Sequence, residues 1–155
     1  GGVMNLSFKI EGLERLKAAT GDLKDAMERE VIIALDASGR HVANEAKRSI
    51  LSGGKTGRIY QRRTVTHRAS APGEPPASDT GRLVNSITHY LMKSGMYVSV
   101  VAGRGLAKYA AMLEFGTRNM EARPFFFPAA ERSRTWVQDR LSDSVNRAIK
   151  RAAKR

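Results

Sequence analysis

Leu23, Met27, Val31, Leu35, Val42, Ala46 and Ile50 follow one another at four-residue steps, with a single step of seven. Over about eight turns that spacing holds one apolar stripe on one helical face, so a single long helix is predicted after Gly21. Asp22 and Asp25 near its start, and Lys47 and Arg48 near its end, complement the helix dipole, and the Gly53-Gly54 pair stops it. Gly39 in the middle costs about 1 kcal/mol relative to alanine and marks a point where a kink is expected. Before this helix, "MNLSFKIEG" alternates Leu6, Phe8 and Ile10 with Asn5, Ser7 and Lys9, the period of a half-buried strand ended by Gly12. A short helix is expected over Leu13 to Thr20.

The remainder of the chain alternates short elements with turns. Ser78, Asp79 or Thr80 is placed to cap a short helix through "GRLVNSI", which would give Leu83 and Ile87 to the core. Strands follow over Ser86 to Met92 and Met96 to Ala102, joined at Lys93-Ser94-Gly95 as a hairpin. "LAKYAAMLEFGT" offers Tyr109, Met112 and Leu113 as the apolar face of a short helix or a strand, and Gly116 suits a sharp turn. Arg123 precedes Pro124 and is pushed toward extended geometry, so "RPFFF" is expected as a strand. Pro128 is suited to the first position of a helix, which is expected to run to the carboxyl terminus on Val137, Leu141, Val145, Ala148 and Ala152.

At 155 residues the chain fits one domain, taken as residues 4–155, and Gly1 to Val3 ahead of Met4 are set aside. Hydrophobic residues are 41% and charged residues 27%, the proportions of an ordinary soluble chain. Cysteine is absent, which removes disulfides, thiolate zinc sites and cysteine nucleophiles together. No apolar run approaches the ~20 residues that span a bilayer, and no signal-peptide layout opens the chain, so synthesis in the cytoplasm without a membrane anchor is expected.

Charge is distributed unevenly. Residues 1–38 carry 5 basic and 7 acidic side chains, residues 39–123 carry 14 and 5, and residues 124–155 carry 8 and 3, so the net +12 arises beyond the first quarter. A field of this sign draws polyanions or acidic protein surfaces. Residues 52–81 concentrate it in a Gly- and Pro-rich connection that is expected to be a projecting basic loop or hairpin, with "IYQRRTVT" as its strand-forming piece. Lys55, Arg58, Arg62, Arg63 and Arg68, with Tyr60 among them, are candidates for contact with a phosphate backbone or a partner; the competing reading is a solvated loop. No sequence-reading DNA or RNA signature accompanies them.

Evidence for chemistry is thin. His41, His67 and His89 have no carboxylate at a metal-ligand spacing, "GGKTG" lacks the upstream glycine and strand of a phosphate loop, and "GRG" at 103–105 reads as a turn. Glu114 is a carboxylate in an apolar setting, open to reading as a catalytic base but better suited to pairing with an arginine or capping a neighbouring turn. Four of the five phenylalanines fall within residues 115–127. In an extended "FFF", Phe125 and Phe127 would face one way and Phe126 the other, so both faces need cover. One is assigned to the helices and the other to a neighbouring subunit, with burial of all three rings in the protomer's own core as the competing reading.

"SDTGRLVNSI", the hairpin after it, "YAAMLEFGTRNMEARPFFFPAAE" and the final helix together resemble the phage neck and tail-completion proteins, the family encoded among head-tail joining genes of long-tailed phages. The core of the match is Tyr109, Glu114, Phe115, Gly116, Thr117, Arg123, Pro124, Phe125 and Pro128, in that order and spacing, and "APGEPPASDTGRL" resembles the loop that often precedes it. The likeness covers residues 5–150 in layout and 72–130 in specific motifs, while the arm at 52–81 is more arginine-rich than the pattern requires. The resemblance implies a small α+β fold in which an antiparallel sheet packs against the long helix and a carboxyl-terminal helix. It also implies a non-enzymatic virion protein without a cofactor, which joins or completes the tail by ring assembly. Its partners would be head-closure, tail-terminator or tail-tube proteins, with packaged double-stranded DNA as a further contact. Tyr109, Glu114, Phe115, Arg123, Phe125, Phe126 and Phe127 then form the candidate subunit interface, and Phe126→Asp is expected to fold without assembling. The alternative is a sequence-independent nucleic-acid-binding protein.

Overall fold

A computed structural model describes residues 3–9, 21–52, 55, 59–62, 65–68, 70–74, 76, 81–94 and 96–153. Their elements are β1 (Met4–Lys9), α1 (Gly21–Leu51), β2 (Ile59–Arg62), β3 (Val65–Arg68), α2 (Arg82–Asn85), β4 (Thr88–Met92), β5 (Tyr97–Ala102), α3 (Ala107–Phe115), α4 (Phe127–Arg132) and α5 (Arg134–Ala153). The fold is α+β, as the resemblance implied. The expected helix over Leu13–Thr20, the stop at Gly12, the Gly53-Gly54 stop and the caps Ser78, Asp79 and Thr80 lie outside the described residues.

β1, β5 and β4 form an antiparallel sheet in that order. The pairing runs Met4 with Ala102 through Lys9 with Tyr97 on one side of β5, and Thr88 with Val101 through Met92 with Tyr97 on the other. Because strand residues alternate faces, this register puts Met4, Leu6 and Phe8 on the same face as Val98, Val100 and Ala102, and that face carries the core. The hairpin between β4 and β5 turns through Met96, which is buried at φ 54° rather than beginning the strand as expected.

α1 lays its stripe across this face. Val31, Leu35, Val42, Ala46 and Ile50 are all buried there. Gly39 does not kink it: the helix is continuous from Gly21 to Leu51. A Cβ at residue 39 would lie 2.5 Å from Val98 Cγ2 and 3.2 Å from the Cβ of His89, so the glycine is where the helix backbone presses closest to the sheet. Asp36, one turn earlier, receives the His89 ring nitrogen at 3.1 Å.

The carboxyl-terminal helix is two helices. Ser133 separates α4 from α5, its backbone N–H shared between the carbonyls of Ala129 and Ala130 and its hydroxyl donating to Ala129 at 2.8 Å. α5 packs along α1 through Val137, Leu141, Ser144 and Ala148. His41 of α1 stacks on Trp136 of α5 at 4.0 Å. Farther along, Arg151 reaches the buried carboxylate of Glu30 at 2.5 Å. Among the described residues no helix is long and apolar enough to cross a membrane.

Candidate functional site

The residues that carry the family resemblance fold into one local unit. α3 ends at Gly116, whose φ of 77° and ψ of 177° turn the chain back on itself. A Cβ there would sit 2.8 Å from Ala122 N and 2.9 Å from Met120 O, closer than side chains approach backbone, so both space and backbone angle require glycine. Thr117 N–H donates to Met120 at 2.7 Å, and Arg123 N–H donates to Leu113 at 2.6 Å, tying the returning chain to the end of α3.

That return brings three backbone amides to Glu114. Oε1 accepts from Phe125 N–H at 2.9 Å and Phe126 N–H at 2.8 Å, and Oε2 accepts from Phe127 N–H at 3.1 Å. The carboxylate is 5% exposed. The first amides of a helix have no partner within it, and their partial positive charge favours an anion, so Glu114 caps α4 from another helix. Pro128, next in line, has no N–H to satisfy. Of the pairing and capping expected of Glu114, the cap is the one observed, with both carboxylate oxygens engaged.

"RPFFF" is not a strand, and this corrects part of the expected interface. Phe126 already has helical angles of φ −95° and ψ −62°, so the three rings no longer alternate between two faces. Phe125 and Phe126 are 1% and 0% exposed and belong to the core, whereas Phe127 is 40% exposed. Phe126→Asp therefore probes folding, not assembly, contrary to expectation. Arg123, also assigned to that interface, is half-buried, and its Nη1 donates to Ser70 at 3.3 Å while its Nε is buried without a partner.

The open surface lies alongside. Tyr109 is 52% exposed, Phe115 is 64% exposed, and Met112 between them is exposed as well, so α3 buries Ala110, Leu113 and Glu114 instead of the expected Tyr109 and Met112. These three exposed residues follow at three-residue steps along one side of the helix. The Phe115 ring meets the Phe127 ring at 5.9 Å, extending the ridge onto α4. Phe127 also lines a groove of about 1150 Å³ between β1 and α5, with Leu6, Phe8, Val137, Leu141 and Val145 along it. Met112 was missed as a surface residue, although its spacing from Tyr109 and Phe115 was there to be read.

The basic arm is a hairpin in which β2 and β3 pair antiparallel, Ile59 opposite Arg68, Tyr60 opposite His67 and Arg62 opposite Val65. Arg58 and Arg63 lie outside the described residues. Lys55 is half-buried and donates to the Ser49 carbonyl at 2.9 Å, at the end of α1. Burial holds its ammonium pKa below that of a free lysine, with the Glu74 charge acting in the opposite sense. On the other root of the arm, Gly73 N–H donates to Ala122 at 3.0 Å and Ala71 N–H to the Glu74 carboxylate at 2.9 Å. Among the described residues no group of three His, Asp or Glu could hold a metal ion. No family model, curated protein or solved structure matches this chain.

Proposed function

We propose that this chain is a non-enzymatic structural protein of a phage virion, seated in the neck or at the head-proximal end of the tail, where it joins or completes the tail by ring assembly. The observation that carries the proposal is the exposed row of Tyr109, Met112, Phe115 and Phe127, set on the segment whose motifs resemble the neck and tail-completion family. Aromatic rings in solvent are unfavourable, and covering the exposed part of each contributes on the order of 1–2 kcal/mol to an association. The cradle beneath the row supports the same role: Glu114 and the buried Phe125 and Phe126 hold the ridge on a rigid base, which lowers the entropy lost when a partner docks. Partners of this surface would be further copies of the chain together with head-closure, tail-terminator or tail-tube proteins, and its location would be the virion.

The deciding experiment removes the gene from the genome that carries it. Negative-stain microscopy is expected to show filled heads and unattached or incomplete tails, with rescue by the wild-type gene and none by Phe115→Asp. Normal tailed particles from the deletion would sink the proposal.

A further inference from the structure

We propose that the chain forms a two-fold dimer by adding β1 of one copy to β1 of another, a contact separate from the α3 ridge. The sheet order β1-β5-β4 leaves β1 at an edge, and among the described residues no strand pairs with its outer side. An edge presents a row of unpaired N–H and C=O groups, which a further strand can satisfy. Met4–Lys9 carries no proline or bulge against such pairing, and its one charge, Lys9, stands at the end.

Packing marks this edge rather than the other. Beneath β4 lies α1, with Asp36 on His89 and Gly39 pressed close, so that side is filled. Beneath β1 the layer is incomplete. α5 packs along α1 and stands off from the strand, leaving the groove of about 1150 Å³. Leu6 through Lys9 line it in unbroken succession, as expected where a strand turns its backbone edge to a cavity, because alternate side chains point to opposite faces. Leu6, Phe8 and Val145 are left half-buried there, while Val98 and Val100 on the neighbouring strand are fully buried. A fourth strand at the usual spacing of about 4.8 Å would cover them.

The occupant is a second copy. Opposite residues of an antiparallel pair share a face, so a two-fold axis must pass through a residue of β1, not between two. With Ser7 on the axis, Leu6 meets Phe8 of the other copy and Lys9 meets its Asn5. Apolar side chains then face apolar ones, and the two lysines do not face each other. Each β1 enters the other copy's groove, where Leu6 and Phe8 reach Val137, Leu141 and Val145. Fifteen residues of each copy line the groove, and a stable interface engages about 20–30 a side, so strand pairing over a filled groove approaches that size. A contact of this symmetry closes at two copies and uses β1 and α5 instead of Tyr109, Met112 and Phe115, so it stands or falls apart from the assembly role.

The test is light scattering of the full chain during gel filtration, at loadings from about 1 to 100 μM. A species of twice the 17.0 kDa chain mass is expected. Ser7 is exposed opposite Ser99, so a charge there should leave the protomer folded, which circular dichroism melts check. Ser7→Asp and Ser7→Lys each set two like charges about 5 Å apart across the axis and should weaken the dimer about tenfold or more. Mixing these two variants should restore it, because the charges then oppose. Phe115→Asp should remain a dimer. If either Ser7 variant melts early, Asn5→Lys, which would face Lys9 of the other copy, takes its place and must weaken the dimer. A single-copy wild type at the highest loading, charged variants that pair as well as wild type, a mixture that stays apart, or a Phe115→Asp chain reduced to one copy would each overturn the proposal.

Discussion

Glu114 shows how one side chain can organise a motif. It holds three amides that would otherwise be buried donors, and a buried donor without a partner costs about 1–3 kcal/mol. Glu114→Ala is therefore expected to lower stability by about 3–5 kcal/mol in denaturant unfolding, and Glu114→Gln by roughly half as much, because the amide oxygen still accepts. A loss below about 1 kcal/mol for the alanine variant would mean that water replaces the cradle. The neighbouring rings separate folding from surface chemistry. Phe126→Asp places a charge in the core and is expected to abolish cooperative thermal unfolding, whereas Phe115→Asp should melt close to wild type. Equal melting of the two would refute the division of this segment into core and ridge. From sequence, Glu114 could be recognised as a cap or a pair but not assigned, because its partners lie 11 to 13 residues away across a loop.

Elements were legible where they repeat and illegible where a neighbour shapes them. The α1 stripe, the β4–β5 hairpin and the short α2 follow from periodicity and turn residues. Gly39 reads alone as a weak point, yet α1 runs through it because the sheet requires a residue without a side chain there. Gly39→Ala is expected to cost about 1–3 kcal/mol through overpacking against Val98, despite the roughly 1 kcal/mol that alanine adds in a free helix. A variant more stable than wild type would show that the sheet yields at this contact. The failed strand at "RPFFF" has a similar cause: Pro124 favours extension, but the carboxylate under residues 125–127 starts a helix. The predicted single carboxyl-terminal helix divides at Ser133, where a side-chain hydroxyl and a shared amide bond compete with the regular ladder.

At the scale of the molecule, two surfaces of different chemistry stand on one body. The ridge of Tyr109, Met112, Phe115 and Phe127 is apolar, and the paired strands β2 and β3 lie in the basic stretch of the chain. Salt should separate them, since counterion release weakens as salt rises while apolar association does not. Sedimentation of the proposed assembly from 50 to 500 mM salt is expected to show subunits retained throughout. Dissociation of the subunits over the same range would mean that charge, not the ridge, holds the assembly.

Periodicity, turn residues and charge alone determined that a long amphipathic helix, an antiparallel hairpin and a basic arm would form, since those features depend on neighbours within a few residues, while the α+β class was what the resemblance implied. Which phenylalanines are hidden, what Glu114 holds and why residue 39 is a glycine were decided only by the tertiary structure. Each depends on a segment distant in sequence arriving within a few ångströms, and the local spacing of residues carries no record of that approach.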